Sequence, residues 1–301
     1  MKRFLKLTNK KLFKKVTFIG FGLINSSLAR VLKNKKLVER INVYSRTLST
    51  RKKIEKLKIA DSIFDNASDA VKNSDLVILG VPVGAYKKLA IEFASSLSPE
   101  TIITDVGSVK NSVIEDLIKI LPNEINFVPA HPIAGTEKSG PESGFENLFE
   151  GHWCVITPSK NTDKKAINKV SLMWQEAGMQ VDEMDAEYHD LVLAITSHIP
   201  HLVAYSIVGT VSDLEGHLKT EVMKYAAGGF RDFTRIAGSD PIMWRDIFLN
   251  NKEAVLEMLG RFIEDLTALQ KSIRWEDGEA LEKLFNKTRD IRKGVVAFKQ
   301  D

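Results

Sequence analysis

The stretch KVTFIGFGLINSSLARVL, residues 15–32, decides how the first half of the chain reads. It opens with a short β-rich run, Val16 to Ile19, and passes through Gly20 and Gly22. It then enters a helical pattern in which Leu23, Leu28, Val31 and Leu32 are apolar. β-Branched and aromatic residues suit a pleated strand, and apolar residues three and four apart suit one face of a helix. Strand, glycine turn and helix in that order open a dinucleotide-binding fold. Gly20 permits the tight turn, and Gly22 lets backbone approach a pyrophosphate seated on the helix N-terminus. The third glycine of the usual fingerprint is replaced by Asn25, which implies a slightly wider helix–strand approach or a polar contact.

Working outward, four more apolar runs follow with amphipathic stretches between them: INVYS (41–45), DLVILGVP (75–82), TIITDVGS (101–108) and INFVPAHP (125–132). Strands alternating with helices predict a parallel, doubly wound sheet of the Rossmann type. Ligands of such sheets bind at the carboxyl ends of the strands. Gly20, Ser45, Val81, Ser108 and His131 all fall at such ends. At the end of the second run, where NAD-binding folds place an acid for the ribose, stand Ser45, Arg46 and Thr47, with Arg51 nearby. Serine and arginine can bond a 2′-phosphate that an acid would repel, which favours NADP while leaving NAD open. Alternatively, Arg46 is a surface residue at the start of a helix.

After WCVITP and a helix near 163–178, MQVDEM (179–184) is expected as the last strand of the α/β part. From Asp185 onward the pattern is helical, roughly over 185–212, 214–226, 241–272 and 276–298, separated by turns such as AAGGF. The expected organisation is a dinucleotide-binding domain over 1–184 and a helical substrate-binding and dimerisation domain over 185–301. Long apolar helices in so small a domain carry more apolar surface than one copy covers, so a homodimer is expected. The run LVLAITSHIPHLVAYSIVGTV (191–211) has the length of a membrane span, but His198, Pro200 and His201 stand at its centre. A buried core helix bending at Pro200 is the better reading.

Hydrophobic content of 44% and charged content of 27% are those of a soluble globular protein. The net charge of +4 owes much to the leader MKRFLKLTNKKLFKK (1–15), which has seven Lys/Arg and no acid. A solvated tail is expected there rather than a nucleic-acid arm or a secretory signal. Cys154, the only cysteine, excludes an intrachain disulfide and is expected to be a buried, inert thiol, consistent with a reducing cytoplasm.

The segment AHPIAGTEKSG (130–140) is read as the catalytic centre. Pro132 keeps the backbone of His131 extended, and imidazole is the side chain suited to moving a proton near neutral pH. Ser108 ends the neighbouring strand, and Glu137 lies in a glycine loop able to fold over a small ligand. His198 and His201 in TSHIPH lack the further ligands that zinc needs. In GGFRDFTRIAGSDPIMWRD (228–246), Arg231, Arg235 and Arg245 with Trp244 suggest an anion-binding corner.

Taken in order, DVGSVK, HPIAGTEKSG, SHIPH and GGFRDFTRIAGSDPIMWRDI resemble the prephenate and arogenate dehydrogenases, the cyclohexadienyl dehydrogenases of tyrosine biosynthesis, from about residue 16 to 290. The resemblance implies oxidative decarboxylation of a cyclohexadienyl acid, with hydride passing to NAD or NADP. It makes His131 the group bonded to the ring hydroxyl and puts Ser108 beside it and the nicotinamide. Arg235 is implied on a substrate carboxylate, with His201, Glu137 and Trp244 as pocket residues. Cofactor contacts fall to Gly20, Gly22, Leu23, Ile24, Ser45, Arg46, Val81, Pro82 and Ser108. Prephenate and arogenate stay open, since no acid is marked as the partner of an ammonium. No metal, nucleic acid or membrane is expected, and a chain of this length is expected to lack an added regulatory domain or fused mutase. The alternatives are another two-domain reductase, such as a β-hydroxyacid dehydrogenase or pyrroline-carboxylate reductase, and a non-catalytic dinucleotide sensor.

Overall fold

Val16, Phe18 and Ile19 are wholly buried in β1 (Phe13–Ile19), which places this strand inside a sheet rather than at its edge. The computed structural model describes residues 11–214 and 216–297. After α1 (Leu23–Asn34) come β2 (Val38–Tyr44), α2 (Leu48–Leu57), β3 (Ser62–Phe64), α3 (Ala67–Val71) and β4 (Leu76–Leu79). Then follow α4 (Tyr86–Phe93), β5 (Ile102–Asp105), α5 (Asn111–Leu117) and β6 (Asn126–Val128). These six strands form one parallel sheet in the order β3-β2-β1-β4-β5-β6. The order reverses between β1 and β4, and the crevice for a dinucleotide opens at that switch. One apolar cluster, with Phe18, Leu28 and Trp174, packs one face of the sheet, and a second, with Val77, Phe93 and Leu117, packs the other.

The chain then leaves this sheet. β7 (Ala130–Pro132), β8 (Trp153–Ile156) and β9 (Gln180–Glu183) form a second, three-stranded sheet, with α6 (Lys164–Glu176) between its last two strands. This corrects the expectation that INFVPAHP is one strand of the main sheet; MQVDEM is the last strand of the α/β part, as expected, and lies in the small sheet. INFVPAHP is two strands, and His131 pairs antiparallel with β8, opposite Val155. The break falls at Pro129, which has no N–H to continue the ladder. Ala130 N–H then donates to the side chain of Asp105 rather than to a strand carbonyl.

The rest is helical: α7 (Ala186–Leu193), α8 (Ile199–Ser212), α9 (Gly216–Tyr225), α10 (Gly228–Thr234), α11 (Pro241–Asn250), α12 (Lys252–Arg274) and α13 (Gly278–Ala297). The chain is therefore a Rossmann-type α/β unit followed by a helical one. Three readings are corrected in detail. The strand begins at Phe13, so residues 13–15 are not a solvated tail; residues 1–10 of the basic leader lie outside the described residues. The expected helix 241–272 breaks at Asn251, whose amide turns inward to Asp190 O and His198 Nδ1. The span 186–212 is mostly uncovered by its own chain, with 28% of its most apolar window buried. Its irregularity is a π-helical turn over 194–198, just before Pro200, which has no N–H for the α ladder.

Candidate active site

The glycine turn shows why it is glycine. Gly20 has φ +85°, and a Cβ there would sit 2.5 Å from Val81 Cγ1 and 2.8 Å from Gly80 O. Gly22 caps α1, and a Cβ there would meet open space. No side chain caps the first turn of α1, whose N–H groups are therefore available to a phosphate. Asn25 takes the polar-contact option: its Nδ2 donates to Gly20 O at 2.8 Å and packs against Gly80. Leu23 is buried and Ile24 half-buried in the same turn, while Val81 and Pro82 follow β4 across the crevice. Ser45 is buried at the end of β2, and its carbonyl accepts from Arg51 Nη1 at 2.9 Å. Arg51 is thus committed to the backbone, whereas Arg46 is exposed and no ion pair among the described residues engages it. This edge fits a nicotinamide dinucleotide.

His131 is 7% exposed, and its Nδ1 lies 2.9 Å from Nε2 of His189. His189 Nδ1 in turn lies 2.8 Å from Asp190 Oδ1. The Asp190 carboxylate also accepts the backbone N–H groups of Lys110 and Asn111, at 2.8 and 2.9 Å. A carboxylate only accepts, so His189 carries its proton on Nδ1 and accepts through Nε2. His131 must then donate from Nδ1, which leaves its Nε2 as the basic nitrogen. No protein group among the described residues bonds that atom. Burial, then His189, Lys110 and His198, hold the His131 imidazolium well below the usual histidine range. A neutral base with an open nitrogen is what proton abstraction from a hydroxyl needs.

Sequence reasoning missed His189 and Asp190. They lie in the first two turns of α7, which Asp185 starts by accepting from Glu187 and Tyr188 N–H. A histidine followed by an aspartate on a helix carries no signal of its own; only the packing of α7 against the β5–α5 connection brings them to His131.

Ser108 is half-buried in the loop that follows β5, so it lies at the expected sheet edge. His201 stacks on Trp244, with ring centroids 3.6 Å apart and planes 22° from parallel. Its Nδ1 donates to Ser197 O at 2.9 Å, leaving Nε2 to face other partners. Trp244 is buried on α11. His198, buried beside it, accepts from Asn251 Nδ2 at 3.1 Å, so the two histidines of SHIPH serve different contacts. Arg235 starts a 3₁₀ turn after α10, and its Nη1 lies 3.0 Å from Glu137 Oε2. That ion pair joins the helical part to the glycine loop. It fixes the loop near Arg235 while both side chains remain partly exposed. Arg231 and Arg245 are not drawn into the pair; Arg245 bonds its neighbour Asp246.

Residues 28–183 match the family model described as prephenate dehydrogenase, nucleotide-binding domain, and residues 185–287 match prephenate dehydrogenase, dimerization domain. The chain is 43% identical to a cyclohexadienyl dehydrogenase of Zymomonas mobilis over 96% of its length and 97% of the relative's. It is 36% identical to a prephenate dehydrogenase of Bacillus subtilis, covering 93% of this chain and 76% of that one. The crystal structure of prephenate dehydrogenase from Aquifex aeolicus in complex with hydroxyphenyl propionate and NAD+ superposes with a TM-score of 0.87. That structure is 36% identical and covers 96% of this chain and 100% of its own. With both halves matched in order and such relatives along nearly the whole length, the chain belongs to the prephenate dehydrogenase family.

Proposed function

We propose that this chain catalyses the oxidative decarboxylation of prephenate, giving 4-hydroxyphenylpyruvate and CO2, with His131 as the general base. The observation that carries this reading is the ordered chain Asp190–His189–His131, which ends in a free basic nitrogen. The turn at Gly20 and Gly22 and the uncapped start of α1 would hold the nicotinamide dinucleotide, which would supply the acceptor for the hydride of the ring carbon that bears the hydroxyl. His131 Nε2 takes the hydroxyl proton as that hydride departs. The positive charge then forming on the His131 imidazole is opposed through His189 by the Asp190 carboxylate, as in other histidine–carboxylate pairs. Loss of the ring carboxylate as CO2 sends its electron pair to the new carbonyl oxygen, and the ring becomes aromatic. His131 can return its proton to that oxygen, so the base is restored and no net proton is released.

Arg235 is assigned to a substrate carboxylate, with Glu137 as the partner it holds or releases as the ligand arrives. His201 and Trp244 form the pocket wall, and Ser108 supplies a hydroxyl near His131 and the nicotinamide. The cofactor contacts are Gly20, Gly22, Leu23, Ile24, Ser45, Arg46, Val81 and Pro82. NADP use is supported by exposed Arg46 at the end of β2, and NAD use by the A. aeolicus relative. Arogenate as a second substrate is supported by the cyclohexadienyl name of the Z. mobilis relative. Rates with prephenate and arogenate, each with NAD+ and NADP+, test both assignments.

The helical part is proposed to form a homodimer in the cytoplasm. On α12, Leu256, Ile263, Leu266 and Ile273 are exposed at spacings that share one face, and α13 exposes Leu284 and Ile291 seven residues apart. A second copy covers such a stripe better than water does. Sedimentation of the purified protein tests it; a monomer at micromolar concentration would contradict it.

A further inference from the structure

Asp105 and Lys110, the two charged residues of DVGSVK, carry no step of the reaction above, yet both are completely buried. Lys110 Nζ lies 2.5 Å from Asp105 Oδ2 and donates to the carbonyl of Ala130 at 2.8 Å. Asp105 Oδ1 accepts the N–H of the same Ala130 at 3.1 Å, and its Oδ2 accepts Gly107 N–H at 2.9 Å. Ala130 N–H, Asp105, Lys110 and Ala130 C=O thus close a ring around the residue that precedes His131. Gly107 belongs to it: a Cβ there would lie 2.9 Å from Asp105 Oδ2 and 2.7 Å from Val83. The backbone N–H of Lys110 also bonds Asp190, so one residue reaches both ends of the histidine chain.

We propose that the buried Asp105–Lys110 pair is a positioning clamp for the general base. It fixes β7 where the chain crosses from the main sheet to the small one, and so aims His131 at the reacting hydroxyl. The proposal rests on the reading of His131 as that base. A buried ion pair is weak evidence of stabilisation, because desolvation offsets the attraction, and a well-packed neutral pair is often tolerated. Specific placement is a better account of why two charges are held here. The groups facing His131 are Asp105 at the end of β5, Lys110 from the loop between β5 and α5, Cys154 from β8, His189 and Asp190 from α7, and His198 from the turn before α8. Among them Lys110 is a fixed cation that disfavours the imidazolium.

The test uses the full-length protein with the double variant Asp105→Asn plus Lys110→Met, which leaves no unpaired buried charge. Its kcat should fall roughly 10- to 100-fold, the scale of a 1 Å misplacement, while KM for prephenate and NAD+ changes little. The acidic limb of the kcat/KM profile should move to higher pH, since the cation opposing protonation of His131 is gone. Asp105→Asn plus Lys110→Gln, also neutral but with an amide that still donates to Ala130 O, should move the limb the same way with a smaller loss of kcat, and it serves if the first double variant does not fold. Wild-type kcat with an unmoved limb in a folded variant overturns the clamp. So does a joint loss of kcat, both KM values and Tm with the limb unmoved, which would mark a purely structural pair. His131→Asn, measured alongside, separates the two readings: full turnover in that variant removes the base itself, whereas its inactivity beside an unaffected clamp variant removes only the clamp.

Discussion

His131 Nδ1 and His189 Nε2 lie 2.9 Å apart, although 58 residues separate them in the chain. This contact joins the small sheet to the first helix of the helical part and fixes which nitrogen of His131 is basic. His189→Phe keeps the bulk but removes the acceptor for His131 N–H, so both the tautomer and the ring angle are lost. A fall in kcat of about 10²-fold is expected, with smaller change in KM, as for a base that has lost its orienting partner. Steady-state kinetics check it, and wild-type kcat would mean that the pair has no catalytic role.

The Arg235–Glu137 contact, at 3.0 Å, leads to a second expectation. Arg235→Gln removes the charge proposed to meet a substrate carboxylate, and Arg235→Lys keeps the charge but loses the two-pronged guanidinium. KM for prephenate should rise by about one to two orders of magnitude in both, more than kcat falls. Glu137→Gln should have the smaller effect, since it removes only the arginine's partner. Unchanged KM in both arginine variants would place the carboxylate elsewhere, with Arg231 and Arg245 the next to examine.

Arg46 is exposed beside buried Ser45 at the end of β2, whereas Arg51 already bonds the carbonyls of both. Arg46→Ala should therefore weaken NADP+ more than NAD+, because only NADP+ carries the 2′-phosphate. Equal losses, measured as KM for each cofactor, would make Arg46 a plain surface residue.

Acid stability follows from His198, whose pKa burial lowers from the usual 6.5 to about 4. Between those values the unfolded chain binds a proton that the folded chain refuses. Stability is therefore complete above pH 6.5 and is lost as pH falls towards 4, by roughly 3 kcal/mol for this group. Thermal melts across that window should show Tm falling with acid, and His198→Gln should flatten the slope. An unchanged slope would mean that His198 is protonated in the fold.

Much of this was legible because its signals are local. Gly20, Gly22 and the run Val16–Ile19 mark a strand and turn by spacing alone, and His131 stands out through Pro132. What stayed hidden is long-range. Pro129 gives no hint of the sheet to which its successor will pair, so β7 reads as an extension of β6. His189 and Asp190 look like surface positions on an amphipathic helix until α7 packs on the loop after β5. Asn251 looks helical until its amide finds Asp190 O and His198. The glycine pattern marks the cofactor edge, but the identity of the base's partners belongs to tertiary packing.

The central claim is that His131 removes the hydroxyl proton, and His131→Asn tests it most directly. Turnover is followed as reduced nicotinamide formed from prephenate and NAD+. The account predicts a kcat about 10²- to 10⁴-fold lower with KM for prephenate little changed. A His131→Asn enzyme that turns over within a few-fold of the wild type, properly folded, would contradict it.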